Sequence, residues 1–264
     1  MDPLLSGQRA VIHGGAGALG SAIARTFVRE GAAVVLTGRT RSRLEAVAVE
    51  LRAAGGRAEV MQLDVLDEAQ VDAHVAEVGA FDIMVNAIGV AHVQGVEIRD
   101  LELADFMRPI DTYVRSTFFA ARVAGRVMAR QGRGVIFTLS APSARLVGRG
   151  WLGQGVAFAA VETMTRLLAA ELGPAGVRAI CLCSDALPEA LARGSHTRVV
   201  FGGAVAAAGI TIDEMLASRA QSATLLGRLP TLAQIADTAA FLASPRAAAI
   251  TGTVANLTCG SLTT

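Results

Sequence analysis

"RAVIHGGAGALGSAIARTF", Arg9 to Phe27, decides the fold. A short apolar run, Arg9 to His13, breaks into glycines that carry G-x-G-x-x-G at Gly15, Gly17 and Gly20, preceded by Gly14. Leu19, Ile23 and Phe27 then recur at helical spacing, so the loop joins a strand to a helix. There, glycines permit a tight turn and close approach of the backbone to a pyrophosphate, whose charge rests on the exposed N–H groups of the helix start. The stretch predicts a dinucleotide loop with Gly14, Gly15, Gly17, Leu19 and Gly20 as contact positions.

The same strand-then-helix rhythm continues outward. Apolar runs at 9–13, 32–38, 58–64, 81–89, 134–141, 177–183 and 252–258 alternate with amphipathic segments. Alternation of this kind predicts an α/β fold: a doubly wound parallel sheet with helices on both faces. No linker or repeat divides the chain, so a single domain over 1–264 is expected. Residues 186–226 depart from the rhythm with "GGAVAAAGI" and "TIDEML", where Thr211 and Glu214 form a capping-box signature for a helix starting near 212. That segment is expected to be a substrate lid, with an ordinary surface helix pair as the alternative.

The second strand ends in "LTGRTRSR". An NAD site places an acid there for the ribose 2′-hydroxyl, whereas here Gly38 stands in that place and Arg39 follows. A guanidinium grips a 2′-phosphate bidentately, so NADP(H) is the expected cofactor. Arg41 and Arg43 can equally be solvated residues at a helix start.

Composition bounds the partners. The 264 residues are 52% hydrophobic and 18% charged, enough for one large core. The 24 basic side chains nearly balance 23 acidic ones without a long run of either sign, which argues against nucleic-acid or anionic-membrane binding. "MDPLLSGQR" lacks a basic region followed by an apolar one, and no stretch reaches the roughly 18 to 20 apolar residues of a membrane span. A cytoplasmic protein acting on a small-molecule substrate is expected. Cys181, Cys183 and Cys259 read as reduced thiols, and without a Cys/His cluster no metal is expected. All the basic residues are arginine, and Tyr113 is the only tyrosine.

With "HGGAGALG", the pair Asp64-Val65, "NAIG" (Asn86 to Gly89), "VETMTRLLAAELGPAGVRA", "LLGRLPTLAQIADTAAFLAS" and "AITGTVANLTCG", the chain resembles the short-chain dehydrogenase/reductase family over essentially its whole length. The resemblance implies a Rossmann-like fold and a homodimer or homotetramer. It adds Asp64, Val65, Asn86 and Ala87 to the cofactor contacts and puts His13 where a threonine usually stands. The family's chemistry uses an Asn, a Ser, and a Tyr-x-x-x-Lys pair on one helix. The Tyr moves the proton, the Lys tunes it and holds the ribose, the Ser orients the carbonyl, and the Asn supports a water. Carried over residue by residue, the Tyr position falls on Gln154, the Lys position on Phe158, the Ser position on Ala141 with Ser140 and Ser143 beside it, and the Asn position on Tyr113. A chain with no lysine holds no Tyr-x-x-x-Lys in any register.

Gln154 can donate an amide hydrogen bond to a substrate oxygen, but it does not transfer a proton near neutral pH. Phe158 in place of an ammonium removes a charged hydrogen bond typically worth about 1.5 to 3 kcal/mol. Tyr113 offers a phenol from the neighbouring helix or is a packed aromatic. His92 follows "NAIG" at the pocket mouth or is a surface loop residue. Arg145, Arg149 and Asp111 read as surface charge near the rim. Three functions remain open: an oxidoreductase moving hydride without the proton relay, for instance to an iminium or a conjugated alkene; a redox-neutral cyclase, isomerase or pericyclase; and a noncatalytic NADP(H)-binding subunit.

Overall fold

The computed structural model describes residues 3–193 and 195–263; Met1, Asp2, Gly194 and Thr264, covered by the expected domain and lid, lie outside the described residues. Strands β1 (Arg9–His13), β2 (Ala33–Gly38), β3 (Arg57–Gln62), β4 (Ile83–Asn86), β5 (Gly134–Ser140), β6 (Val177–Ser184) and β7 (Thr253–Leu257) match the seven runs read from the sequence. They form one parallel sheet in the order β3-β2-β1-β4-β5-β6-β7. The largest trimming is at 81–89, where the tail Ala87 to Gly89 leaves the sheet to line a cleft instead.

Period-two alternation sorts the strands' side chains between two faces. Ala10 and Ile12 of β1 and Ile83 and Val85 of β4 pack with α1 (Ala18–Arg29) and α9 (Leu232–Ala243). Val11 and Met84 pack with α4 (Leu103–Gln131) and α5 (Leu152–Leu172). Fully burying side chains such as Ile12 and Ile83 stabilises the sheet by about 1.5 to 3 kcal/mol each. Strand order reverses between β1 and β4, which opens a crevice at their carboxyl ends.

α2 (Arg41–Ala53) and α3 (Glu68–Val78) complete the first half. Behind the glycine loop His13 shares a 2.6 Å hydrogen bond between Nδ1 and Thr37 Oγ1 and tilts against His74 of α3, ring centroids 6.0 Å apart. Residues 186–226 fold as α6 (Pro188–Ala192), α7 (Thr197–Ala208) and α8 (Ile212–Ala223). The capping box forms as read: Thr211 accepts from the Glu214 backbone and the Glu214 side chain accepts from Thr211 N.

Candidate active site

One cleft of about 1090 Å³ runs along the carboxyl ends of the strands, from the glycine loop to α5 and under α7 and α8. At its first end Gly14 leaves β1 at φ +73°, where a Cβ would stand 2.6 Å from the Ala87 carbonyl oxygen. A Cβ on Gly20 would collide with the Gly14 carbonyl. Gly17 caps α1 without a side-chain bond, and the first turn holds no acid, so its N–H groups are left for an anion. Gly14, Gly17, Leu19, Arg39, Asp64, Val65 and Ala87 line this end, together with Arg43 and Arg193. Gly15 and Gly20 are not lining residues; they shape the turn. Asn86 departs from the sequence expectation: its amide donates to Ser116 Oγ at 3.1 Å and Thr117 Oγ1 at 3.2 Å, which ties β4 to α4 and turns the side chain away from the cleft. A backbone cradle that any side chain would fill fits a dinucleotide diphosphate.

The other end is built from side chains. His92 is buried rather than a surface loop residue. Its Nδ1 lies 2.9 Å from the Val90 carbonyl, which can only accept, so Nδ1 carries the proton and Nε2 the lone pair. Gln94 Nε2 donates to that Nε2 at 3.2 Å and to Gln154 Oε1 at 2.5 Å. Gln154 is thereby held by its carbonyl oxygen, which leaves its own amide hydrogens to a ligand. Burial lowers the His92 pKa, opposed by the Val90 and Gln154 hydrogen bonds.

Tyr113 stacks on Phe158 with centroids 4.7 Å apart and meets His92 edge-on at 6.2 Å. Its oxygen accepts from Val90 N at 3.4 Å, which leaves the hydroxyl proton to donate. Burial pushes the phenol up to about 12, so it binds without ionising. Phe158 and Trp151 both line the cleft without closing it.

Ser140 and Ser143 part company. The Ser140 hydroxyl donates to Glu162 Oε1 at 2.9 Å, and Arg145 Nε donates to Glu162 Oε2 at 2.9 Å. Arg145 is exposed, as its sequence context suggested, yet its guanidinium reaches the buried Glu162 and neutralises that carboxylate. Ser143 Oγ is buried without a partner among the described residues, and Ser143 lines the cleft beside Ala141. Arg149 faces Glu97 at 3.4 Å in solvent, and Asp111 is exposed; neither lines the cleft. Beneath Ser140, burial lifts the thiols of Cys181 and Cys183 to about 11 and about 12.

Gln94, Asp185, Arg219 and His196 also line the cleft, and sequence reasoning missed all four. Asp185 is buried at the end of β6 and takes Arg219 of α8 through two hydrogen bonds, 2.6 and 2.9 Å, and Ser261 Oγ at 2.5 Å. This pins the 186–226 segment to the sheet. His196 enters at the head of α7, where a Cβ on Gly89 would collide with its imidazole. No motif marks these positions: Gln94 lies in the loop after β4, Asp185 just past β6, and His196 and Arg219 in the 186–226 segment that folds back over the sheet. No group of three or more possible metal ligands occurs among the described residues, and among them no helix is long and apolar enough to cross a membrane.

A family profile described as Enoyl-(Acyl carrier protein) reductase matches residues 14–261. The chain is 32% identical to a galactitol 2-dehydrogenase of Rhizobium johnstonii over 97% of its own length and 95% of the relative's. Among solved structures, one described as a short chain dehydrogenase/reductase family protein is 30% identical, with a TM-score of 0.80 over 97% of this chain and 98% of the other. A gluconate 5-dehydrogenase from Burkholderia cenocepacia, solved with NADP and tartrate, matches in fold at a TM-score of 0.85 and 24% identity, covering 98% and 97% of the two chains.

Proposed function

The chain belongs to the short-chain dehydrogenase/reductase family of oxidoreductases, and from that premise we propose an NADP(H)-dependent reductase of a conjugated alkene or an iminium that works without a tyrosine–lysine proton relay. One observation carries this reading: a single cleft joins the glycine cradle and Arg39 to the donors of Gln154 and Tyr113. Gly14, Gly17 and Leu19 would hold the diphosphate, Asp64 and Val65 would flank the adenine, and Arg39 and Arg43 would hold the 2′-phosphate that a carboxylate at position 38 would repel. When bound, the reduced nicotinamide supplies a hydride to an electrophilic carbon. Gln154 and Tyr113 donate to the substrate oxygen and polarise it without changing protonation state. The name of the matching family profile, an enoyl reductase, describes chemistry of this kind.

Calorimetry with NADPH and NADH, followed by NADPH oxidation with α,β-unsaturated ketones and cyclic iminium salts, tests the proposal. Tight NADPH binding with turnover on one substrate class is expected; failure to bind either dinucleotide sinks it. A second reading, a redox-neutral cyclase or isomerase, is favoured by Phe158 standing where the family's ribose-binding lysine would be. Turnover undiminished after removal of all nicotinamide would establish that reading instead. Exposed Phe118 on α4 and Val156 and Leu167 on α5 support a homodimer through those helices.

A further inference from the structure

Charge along the cleft leaves one cation without a task. Arg39, Arg43, Arg193 and Arg219 line it, and the chain holds no lysine. Arg219 is taken by the buried Asp185, at 2.6 and 2.9 Å. A phosphate monoester such as the 2′-phosphate carries about −1.5 to −2 charges near neutral pH, which Arg39 and Arg43 together balance. The diphosphate is then left with the helix. Each of its phosphates, singly ionised like those of a nucleic-acid backbone, carries about one negative charge. Against these the N-terminus of α1 offers the equivalent of only about +0.5 charge.

Arg193 is placed to supply the difference. It caps the C-terminal end of α6, and Leu187 and Ala190 there pack against Ala18, Leu19 and Ala22 of α1 and Leu232 of α9. The first turn of α1, whose N–H groups are left for an anion, is therefore the surface on which α6 sits. Glu189 Oε2 accepts from Leu232 N at 2.7 Å, which fixes α6 on a second side and occupies its one acid. The Arg193 side chain is exposed, lines the cleft, and makes no hydrogen bond or ion pair among the described residues. Its charge is felt at Glu50 of α2, whose carboxyl is held below its usual range first by the Arg25 hydrogen bond and more weakly by Arg193. Glu50 is already gripped by Arg25 at 2.7 and 2.8 Å. The guanidinium thus belongs to the α1–α2 side of the cleft, the cofactor end, and not to the group of Gln154, Tyr113 and Phe158.

We propose that Arg193 binds the diphosphate of the dinucleotide, so that the 186–226 segment contributes the cation that the glycine turn lacks. The inference rests on the NADP(H) reading above. A guanidinium can give a phosphate two parallel N–H donors together with a full positive charge, which the backbone donors of α1 do not carry. NADPH and NADH share the diphosphate, so Arg193 strengthens both alike, whereas Arg39 selects between them. The same segment continues into α7 and α8, which bring Val200 and Met215 into the cleft lining, so the diphosphate and the far wall of the cleft share one support.

The test uses Arg193→Ala and Arg193→Lys in the full chain, with NADPH, NADH and ADP-ribose as probes in calorimetry. Arg193→Ala is expected to weaken all three by about tenfold, the low end for a hydrogen bond to a charged group because Arg193 is exposed. Arg193→Lys should recover part of the loss, and the gap between wild type and Arg193→Ala should narrow as sodium chloride is raised. Phosphorus NMR of bound NADPH locates the contact without turnover: the diphosphate resonances move in Arg193→Ala while the 2′-phosphate resonance stays, and Arg39→Ala does the reverse. Wild-type affinity for all three probes, with the diphosphate resonances unmoved, would overturn the proposal. So would a loss confined to NADPH, which would put the guanidinium on the 2′-phosphate. A wild-type chain that binds none of the probes overturns the dinucleotide reading and this assignment with it. Dinucleotide binding without turnover of any enone or iminium overturns hydride transfer alone, and the affinities and resonances still decide the role of Arg193.

Discussion

The two ends of the cleft are made of different material. The first is backbone, kept open by the absence of side chains at Gly14 and Gly20 and ended by the uncapped N–H groups that follow Gly17 in the first turn of α1. The second is side chains: an amide, a phenol and two imidazoles, braced by the ion pair of Arg145 with the buried Glu162. A backbone cradle has little freedom, because most substitutions collide with a carbonyl. A side-chain site can exchange one hydrogen-bonding group for another while the sheet beneath it stays the same. One cleft can therefore keep its cofactor geometry and replace its acid–base chemistry.

Acid should break the first end most severely. Burial lowers His13 to about 3, aided by His74, and burial lowers His74 to about 4, aided by Arg9. Both folded values lie below the usual 6.5, so the unfolded chain binds protons that the folded one refuses. Stability is complete above pH 6.5 and is lost as pH falls toward 4. Each histidine contributes about 1.4 kcal/mol per pH unit in that window. Denaturant midpoints across pH 4 to 7 should show this, and His13→Thr should remove about one proton's worth of slope.

Arg145→Ala should break the second end. It leaves the Glu162 carboxylate uncompensated, and because the Arg145 side chain is itself 32% exposed, about 3 kcal/mol is expected, the low end for such a pair. Thermal denaturation would measure it, and NADPH binding by the protein that remains folded should be retained. Arg39→Ala sharpens the comparison from the cofactor side. NADPH affinity should fall by about 1.5 to 3 kcal/mol, the value of a charged hydrogen bond, while NADH affinity holds. Equal losses for both dinucleotides would show that Arg39 does not read the 2′-phosphate. Gln154→Ala carries the smallest effect: kcat lower by the equivalent of about 1 kcal/mol, one neutral hydrogen bond, with dinucleotide affinity unchanged in calorimetry.

Legibility in the sequence divides along the same line. The strands, the glycine turn, the Thr211 capping box and the positions of Gln154, Tyr113 and Phe158 were readable because each follows from local spacing or local backbone demand. Asn86 was misplaced because a buried amide takes whatever partners lie across from it, and here those are Ser116 and Thr117 of a distant helix. Arg145 is at the surface as read, but its pairing with the buried Glu162 was not legible, because that partner lies 17 residues away on α5. His196 and Arg219 went unnoticed because the 186–226 segment folds back over the sheet to bring them to the cleft, and no periodic pattern encodes that return.

Cys181 and Cys183 have a consequence for what can safely occupy the cleft. An activated alkene is an alkylating agent toward amines and thiolates. Here no lysine exists to be alkylated, and burial holds both thiols protonated, at about 11 and about 12. Cys259 lines a separate cavity near Leu226 and Leu262, away from the cleft. The amines and thiolates that such a compound alkylates are thus absent from this cleft or held protonated, which leaves the imidazoles of His92 and His196 as the nucleophiles that line it.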